Sequence, residues 1–162
     1  MGRRRKMSTN LIQLSSNELA QANVTQRQIS QKEFEIKLVD INSMHLSNQD
    51  ASTYFYNQQR KQTLQTEISN FKLIRDNHIN AAIMYALTLA EGELKQRSTF
   101  SNASLLLASI RSFLAIQNIS LAVSFPIVIK ISSLSSRLQR RGTGYISLKR
   151  ELMSLKTQLQ MS

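Results

Sequence analysis

The feature of this sequence that most limits its fold is a long stretch without a helix-breaking residue. Residues 3–91 contain neither glycine nor proline, a run of 89 residues. Helix interiors exclude both residues, because glycine is too flexible there and proline removes a hydrogen-bond donor. The whole chain of 162 residues has four glycines and one proline, too few for the frequent turns of an all-β fold. The sequence therefore predicts long helices.

Apolar periodicity predicts about four helices joined by short turns. The first is expected from near Ser15, whose spacing to the next glutamate is that of a capping box. The second runs from about residue 51 to 97, the third from 103 to 125 and the fourth from 127 to 161. The predicted fold class is all-α, a long-helix bundle with a coiled-coil-like C-terminal helix.

Charge is segregated along the chain and suggests three regions. Residues 1–14 carry +4 and are predicted to be a disordered basic arm. Residues 15–100 hold nine basic and nine acidic side chains and are predicted to be a neutral long-helix region. Residues 101–162 hold eight basic side chains and one acidic one, and are predicted to form an apolar helix followed by a basic heptad helix. The formal net charge is +11.

An uncharged apolar run occupies residues 112–129. As one helix these residues would reach roughly 27 Å at about 1.5 Å each, close to the thickness of the hydrocarbon layer of a membrane. However, Gln117, Asn118 and Pro126 lie inside the run, and no belt of tryptophan or tyrosine frames it. The sequence leaves two interpretations open: a membrane span near 112–129, and a buried core or subunit-interface helix.

A heptad pattern marks the C-terminal region. Its leucine-rich positions alternate spacings of three and four, as on the a/d seam of a coiled coil, with Arg141 at one seam position. A coil this short is marginal alone, so it needs a partner, either the chain's own first helix or a second subunit. We expect a homo-oligomer or a larger protein assembly. The predicted seam residues are Ile131, Leu134, Leu138, Tyr145, Leu148, Leu152, Leu155 and Leu159.

Basic residues at both ends of the chain are candidates for contact with an anionic partner. Phosphates of nucleic acid and headgroups of anionic lipids would both be attracted to them. Since Tyr145 is the only aromatic residue close to these positions, nucleic-acid binding would be independent of base sequence. The candidate contact residues are Arg3, Arg4, Arg5, Lys6, Arg137, Arg140, Arg141, Lys149 and Arg150.

One short segment resembles a known family. The residues Arg141-Gly142-Thr143-Gly144-Tyr145 are similar to an element near the C-terminal end of helical-bundle coat proteins from rod-shaped plant RNA viruses. The resemblance implies an RNA-packing subunit of similar length. It covers five residues of 162, and this chain departs from the family in having no tryptophan and a heptad helix at its end. No residue's role is carried over from it.

The sequence contains no motif for catalysis. With no cysteine, it offers neither a thiol nucleophile nor a thiolate metal site. His45 and His78 are 33 positions apart, and neither follows a glutamate by three residues as in di-iron helix bundles. Glycine-rich phosphate-binding loops and nucleophile-elbow motifs are also missing. We therefore predict no enzyme activity, no cofactor, no metal site and no small-molecule substrate.

These features lead to one main functional prediction and two alternatives. The main prediction is a non-enzymatic α-helical structural subunit of a multimeric complex, such as a virion component or a secretion-type apparatus, in which apolar central helices contact other subunits or a membrane. The first alternative is a nucleic-acid packaging or coat protein that uses the basic C-terminal region. The second is a membrane-inserting protein with a span near 112–129. A virion or membrane-associated location is favoured over the free cytoplasm.

Overall fold

The computed structural model describes residues 2–44, 50–95, 101–119, 130 and 145–161. Within these residues there are four helices and no strand, which confirms the predicted all-α helical bundle. The helices are α1 (Gly2–Met44), α2 (Ala51–Lys95), α3 (Ser101–Ile116) and α4 (Tyr145–Met161).

The chain divides into two compact units. Unit 1 consists of Met1–Ala20 and His78–Ser162, and unit 2 of Gln21–Asn77. The boundaries fall inside α1 and α2, whereas the regions expected from charge alone divided the chain at residues 14 and 100. Contacts between segments that are distant in sequence define these units. A count of charges along the sequence contains no information on such contacts.

The start of α1 differs from the prediction. The helix begins at Gly2, so residues 2–14 are helical where a disordered arm was expected, and the predicted start near Ser15 is wrong. The side chain of Ser15 is buried, and its hydroxyl donates a hydrogen bond to the carbonyl of Ala82 at 2.9 Å. Ser15 is therefore an interior packing residue, and no breaker between Gly2 and Ser15 interrupts the helix.

The start of α2 agrees with the sequence pattern. Asp50 precedes the helix, and its side-chain Oδ1 accepts a hydrogen bond from the hydroxyl of Thr53 at 2.8 Å. Its carbonyl accepts the first helical hydrogen bond, from the Tyr54 N–H at 3.1 Å. Asp50 therefore occupies the N-cap position, for which aspartate is among the preferred residues.

Unit 2 is an antiparallel pair of helical segments, the second half of α1 and the first half of α2. Contacts between side chains show the direction, because partners move toward the start of α2 as one proceeds along α1. The Lys32–Glu67 and Asp40–Lys61 salt bridges follow this order, as do the Arg75–Gln26 and Asn57–Ser43 hydrogen bonds. A third salt bridge, Glu35–Arg60, joins the same two helices. The Lys32 Nζ also lies 5.6 Å from the centre of the Phe71 ring.

The facing side chains of unit 2 follow heptad spacing in both helices. None of them is exposed, but many are polar or charged, so a search for apolar residues alone does not detect the pattern. Only Ala22, Ile29, Leu64 and Ile68 form its buried apolar centre. The full set is Ala22, Thr25, Ile29, Lys32, Ile36, Val39 and Ser43 in α1, and Asn57, Lys61, Leu64, Ile68, Phe71 and Arg75 in α2.

Unit 1 holds most of the apolar core among the described residues. The end of α2 is buried nearly all round, at Ile79, Ala82, Ile83, Ala86, Leu87, Leu89 and Ala90. From α3, the buried side chains are Ala103, Leu106, Leu107, Ile110 and Leu114. A helix that is apolar on all sides needs several neighbours, and these two helices bury their apolar faces within this unit.

The end of α3 also differs from the prediction. The helix stops at Ile116 instead of continuing to residue 125, because Asn118 adopts a left-handed backbone with a φ of 51°. The Ile119 N–H donates to the Leu114 carbonyl at 2.9 Å, and the Asn118 N–H to the Ala115 carbonyl at 3.2 Å. With Leu114 and Ile119 both buried, this is a complete Schellman motif.

This ending interrupts the apolar run at residues 112–129, whose residues from 120 onward lie outside the described part of the chain. In the part that the structure describes, no helix is both long enough and apolar enough to cross a membrane. The single helix over residues 112–129 that a membrane span requires is therefore not formed, since it ends at Ile116.

The last helix bears on the predicted oligomer seam. Leu152, Leu155 and Leu159 are buried by residues of the same chain, so the structure places them in the core of unit 1 and not on an intermolecular surface. The ion pair between Lys156 and Glu91 joins this helix to α2. Tyr145 and Leu148 also lie in α4, while Ile131, Leu134 and Leu138 fall outside the described residues.

Truncation of Ile29 tests the seam of unit 2. We expect Ile29→Ala to lower the free energy of unfolding by about 2–5 kcal/mol, because the side chain is buried and leaves a cavity. As a control, Leu73→Ala removes an exposed side chain of the same unit and should change stability by less than about 0.5 kcal/mol. Urea unfolding followed by circular dichroism measures both. Equal effects of the two substitutions would contradict the assigned seam.

Substitution of Asn118 tests the end of α3. Asn118→Val should destabilise the protein by roughly 1–2 kcal/mol, since a β-branched residue is strained in the left-handed region. Asn118→Gly should be neutral or stabilising, because glycine adopts this backbone without strain. Thermal unfolding of the two variants makes the comparison. A valine variant as stable as the glycine variant would mean that α3 does not end here.

Candidate functional site

The two units differ sharply in charge. The ranges of unit 1 contain 14 of the 21 basic residues and 4 of the 10 acidic ones, a formal charge of +10. Unit 2 contains the other 7 basic and 6 acidic residues, a formal charge of +1. The excess positive charge of the protein therefore belongs to unit 1, which makes this unit the candidate for contact with an anion.

Two of the four acidic residues of unit 1 have side-chain partners inside it. The Glu18 carboxylate of α1 contacts Nδ1 of His78 in α2 at 2.5 Å. The Glu91 carboxylate of α2 accepts a hydrogen bond from Lys156 Nζ of α4 at 2.9 Å, and both side chains are largely covered. These contacts join α1 to α2 and α2 to α4, so these carboxylates have structural partners within the unit.

Glu93 is buried near the end of α2 and serves as a cap for another helix. Its Oε2 accepts a hydrogen bond from the backbone N–H of Ala103 at 3.4 Å, in the first turn of α3. First-turn N–H groups have no partner within their own helix, and a carboxylate there also faces the positive end of the helix dipole. Burial raises the pKa of Glu93 above its ordinary value of 4.5, and hydrogen bonds from Ala103 and Asn102 oppose part of that rise.

The structure describes only some of the predicted anion-contact residues. Arg3, Arg4, Arg5 and Lys6 lie in the first turns of α1, and Lys149 and Arg150 lie in α4. Lys149 is half-buried and Arg150 is exposed. The remaining predicted contacts, Arg137, Arg140 and Arg141, fall outside the described residues.

Two further exposed basic residues of unit 1 were not among the predicted contacts. Arg111 lies in α3 and Lys130 follows that helix in the chain, and both side chains are exposed. The predicted contacts came from clusters of basic residues, whereas these two are isolated in the sequence. The signal that identifies them is their membership of the basic unit.

The orientation of α4 decides what this helix presents to solvent. Its leucine stripe, Leu152, Leu155 and Leu159, is turned into the core, whereas Met153 and Met161 are 53% and 84% exposed. Arg150 lies on the exposed side. A helix that binds in a membrane interface needs an uncovered apolar face beside its basic one, and the leucine stripe of α4 does not supply such a face.

Unit 2 neutralises its charges across the helix pair. Besides its three interhelical salt bridges, it buries the guanidinium group of Arg75 at a seam position. Arg75 Nη1 donates to Gln26 Oε1 at 2.7 Å, and its Nε donates to Asp76 Oδ1 at 3.0 Å. If the two helices shifted in register, Arg75 would lose its partner Gln26 and its buried charge would be left with fewer hydrogen bonds. A buried charged group of this kind therefore disfavours other registers.

The outward side of α1 in unit 2 carries exposed apolar residues. Val24, Phe34, Leu38 and Ile41 are 49%, 60%, 44% and 51% exposed. At about 100° per residue, they lie within an arc of roughly 100° on the side opposite the seam with α2. Only Arg27 and Gln31 interrupt this line of side chains, which we call the outer stripe. It was not among the predicted features, because apolar periodicity along the sequence does not separate the two faces of α1.

Substitution of Glu93 has an expected pH dependence. Because its pKa is raised on folding, the folded protein binds this proton more tightly than the unfolded chain does. Its stabilising contribution is therefore complete below pH 4.5 and is lost as the pH rises toward the pKa of the folded state. Glu93→Gln keeps an acceptor for the Ala103 N–H and removes this loss, so its stability relative to the native chain should increase above pH 4.5.

Urea unfolding at a series of pH values measures this difference. The matched control is Glu33→Gln, which changes an exposed glutamate of α1. We expect the control to show no comparable growth with pH. A constant difference between the Glu93 variant and the native chain across the series would contradict the raised pKa.

Neither a metal site nor a similarity to known proteins indicates a function for this chain. No group of three or more histidine, cysteine, aspartate or glutamate side chains suited to a metal ion occurs in the described part of the chain. No protein-family model, curated protein or solved structure matches the sequence. We therefore infer function from the charges and contacts of the two units.

Proposed function

We propose that this protein is a non-enzymatic helical structural subunit of a multimeric assembly, in which unit 1 binds nucleic acid without regard to base sequence. The observation that carries the proposal is the partition of charge. Unit 1 has a formal charge of +10 and unit 2 of +1. A concentrated positive charge attracts the phosphate backbone, and release of condensed counterions supplies the free energy of binding.

The internal contacts of unit 1 support this proposal. Glu18 and Glu91 are paired with His78 and Lys156, and Glu93 is buried at the start of α3. Acidic groups used inside the fold leave exposed basic groups such as Arg111 and Arg150 at the surface. Phosphate contacts by lysine and arginine position a protein on nucleic acid but carry no base information, so binding of this kind is sequence-independent.

Nucleic acid is favoured over a membrane surface as the anionic partner by the packing of α4. Its leucines are turned into the core, and the exposed apolar side chains in the described part of this helix are Met153 and Met161, fewer than the continuous apolar face that an interfacial helix inserts into lipid. Contacts with phosphates do not require such a stripe. Binding to vesicles of anionic lipid without binding to nucleic acid would contradict this choice.

Two triple variants test the role of unit 1. The first replaces Arg111, Lys130 and Arg150 by glutamine, and the second replaces Arg27, Lys37 and Lys72 of unit 2 in the same way. All six side chains are exposed, and each variant removes three positive charges. Because both have the same net charge, a difference between them reports where the positive charge acts.

The test measures the binding of each variant to short DNA duplexes of two unrelated sequences. Fluorescence anisotropy gives the binding constant K at a range of salt concentrations. Removal of one phosphate-binding cation should reduce the slope of log K against log salt by roughly 0.9. We expect the slope of the unit 1 variant to fall by about one to three times this amount, and the unit 2 variant to keep the native slope. Equal reductions in both variants, or a strong preference for one duplex, would overturn the proposal.

A further inference from the structure

We propose that the outer stripe of α1 in unit 2 is the surface on which a second copy of this chain docks. The inference deepens the proposed assembly role by naming the partner and the surface, and it uses a different unit from the one proposed to bind nucleic acid. Its basis is a row of exposed apolar side chains on one face of a regular helix.

The spacing of the outer stripe is that of a helix-packing seam. Phe34, Leu38 and Ile41 follow one another at intervals of four and three residues, and Val24 lies on the same line ten residues earlier. The inner seam of α1 has the same alternation and is already filled by α2. Side chains at alternating spacings of three and four lie on one face of a helix, where they can pack against the matching face of another helix.

The area of the outer stripe matches what a dimer needs. If a large side chain has about 200 Å² of surface, the four exposed fractions give roughly 400 Å² of apolar surface per copy and 800 Å² for two copies. Protein interfaces are about 57% apolar, so this corresponds to a contact of roughly 1,400 Å² in total. That value lies within the standard size range for specific interfaces, about 1,200–2,000 Å².

Charge selects unit 2 for contact between identical copies. Two copies of unit 1 would each bring a formal charge of +10 to the contact, whereas two copies of unit 2 would each bring +1. In addition, eight of the 13 charged side chains of unit 2 lie in its own salt bridges, and Arg27 is the one charged residue along the outer stripe. Like charges that face each other across an interface oppose association, so the nearly neutral unit is the one compatible with a second copy.

The test compares two leucines of unit 2. Leu38→Glu places a charge in the outer stripe, and Leu73→Glu places the same charge at a leucine of α2 that is 63% exposed. We expect the native chain and the Leu73 variant to form dimers at tens of micromolar in sedimentation velocity. The Leu38 variant should have a dissociation constant at least about tenfold higher, because each copy replaces an apolar side chain at the interface with a buried charge. Circular dichroism checks that both variants retain the helical content of the native chain.

Cross-linking supplies a second measurement that does not depend on adding a charge. The sequence has no cysteine, so Leu38→Cys and Leu73→Cys each introduce one defined thiol. A short bismaleimide should join two copies through position 38 much faster than through position 73. A monomeric native chain, or equal behaviour of the two positions in both measurements, would overturn the inference.

The duplex-binding assay separates this inference from the proposed function. If the Leu38→Glu protein dissociates into monomers and still binds DNA with a steep salt dependence, both proposals stand. If the native chain dimerises through the outer stripe and does not bind duplexes, the proposed nucleic-acid binding is wrong and the proposed dimer surface still stands. Binding of duplexes by a native chain that remains monomeric would remove the dimer surface alone.

Discussion

Two long helices packed side by side can cover only the side chains that recur at intervals of three and four residues, and this constraint decides what the two helices of unit 2 expose. In unit 2, α1 and α2 meet along a seam of mixed chemistry, with an apolar centre at Ile29 and Leu64 and a buried guanidinium group at Arg75. Such a seam contributes less apolar burial than a leucine zipper, but its polar members limit the number of registers in which the helices can pair. The opposite face of α1 is left to solvent or to a partner.

Much of the fold could be predicted from the sequence, because the absence of helix breakers and the apolar periodicity are local signals. The start of α2 after Asp50 is one example, since aspartate directly before a helical pattern is a local signal for a helix start. The end of α3 is a contrary example: Asn118 takes a left-handed conformation that its side chain tolerates but does not require, and Pro126 was the more obvious stop. Ser15 resembled a cap in sequence, and only the proximity of Ala82 shows that it is buried.

The candidate site was predictable in kind but not in position. The basic character of the chain ends is visible in the sequence, but the assignment of +10 to one compact unit depends on contacts between its first 20 residues and those beyond residue 77. The exposed Arg111 has no basic neighbour in sequence to draw attention to it. The heptad leucines of α4 were predicted to form a seam, and what the sequence left open was whether the first helix of the same chain or a second subunit covers them. The chain itself covers Leu152, Leu155 and Leu159.

The contact between Ser15 and Ala82 has a consequence for how freely this sequence can vary. A hydroxyl attached directly to Cβ reaches a main-chain oxygen of the other helix at 2.9 Å, so the two backbones are close at this point. Protein interiors are close-packed, so a site where two helix backbones approach this closely has no room for a larger side chain. Leucine or phenylalanine at position 15 would wedge α1 away from α2, and alanine would fit but leave the hydroxyl's place empty. Natural variation at this position should therefore be confined to the smallest residues, even though nothing in the sequence distinguishes this buried serine from the many others in the chain.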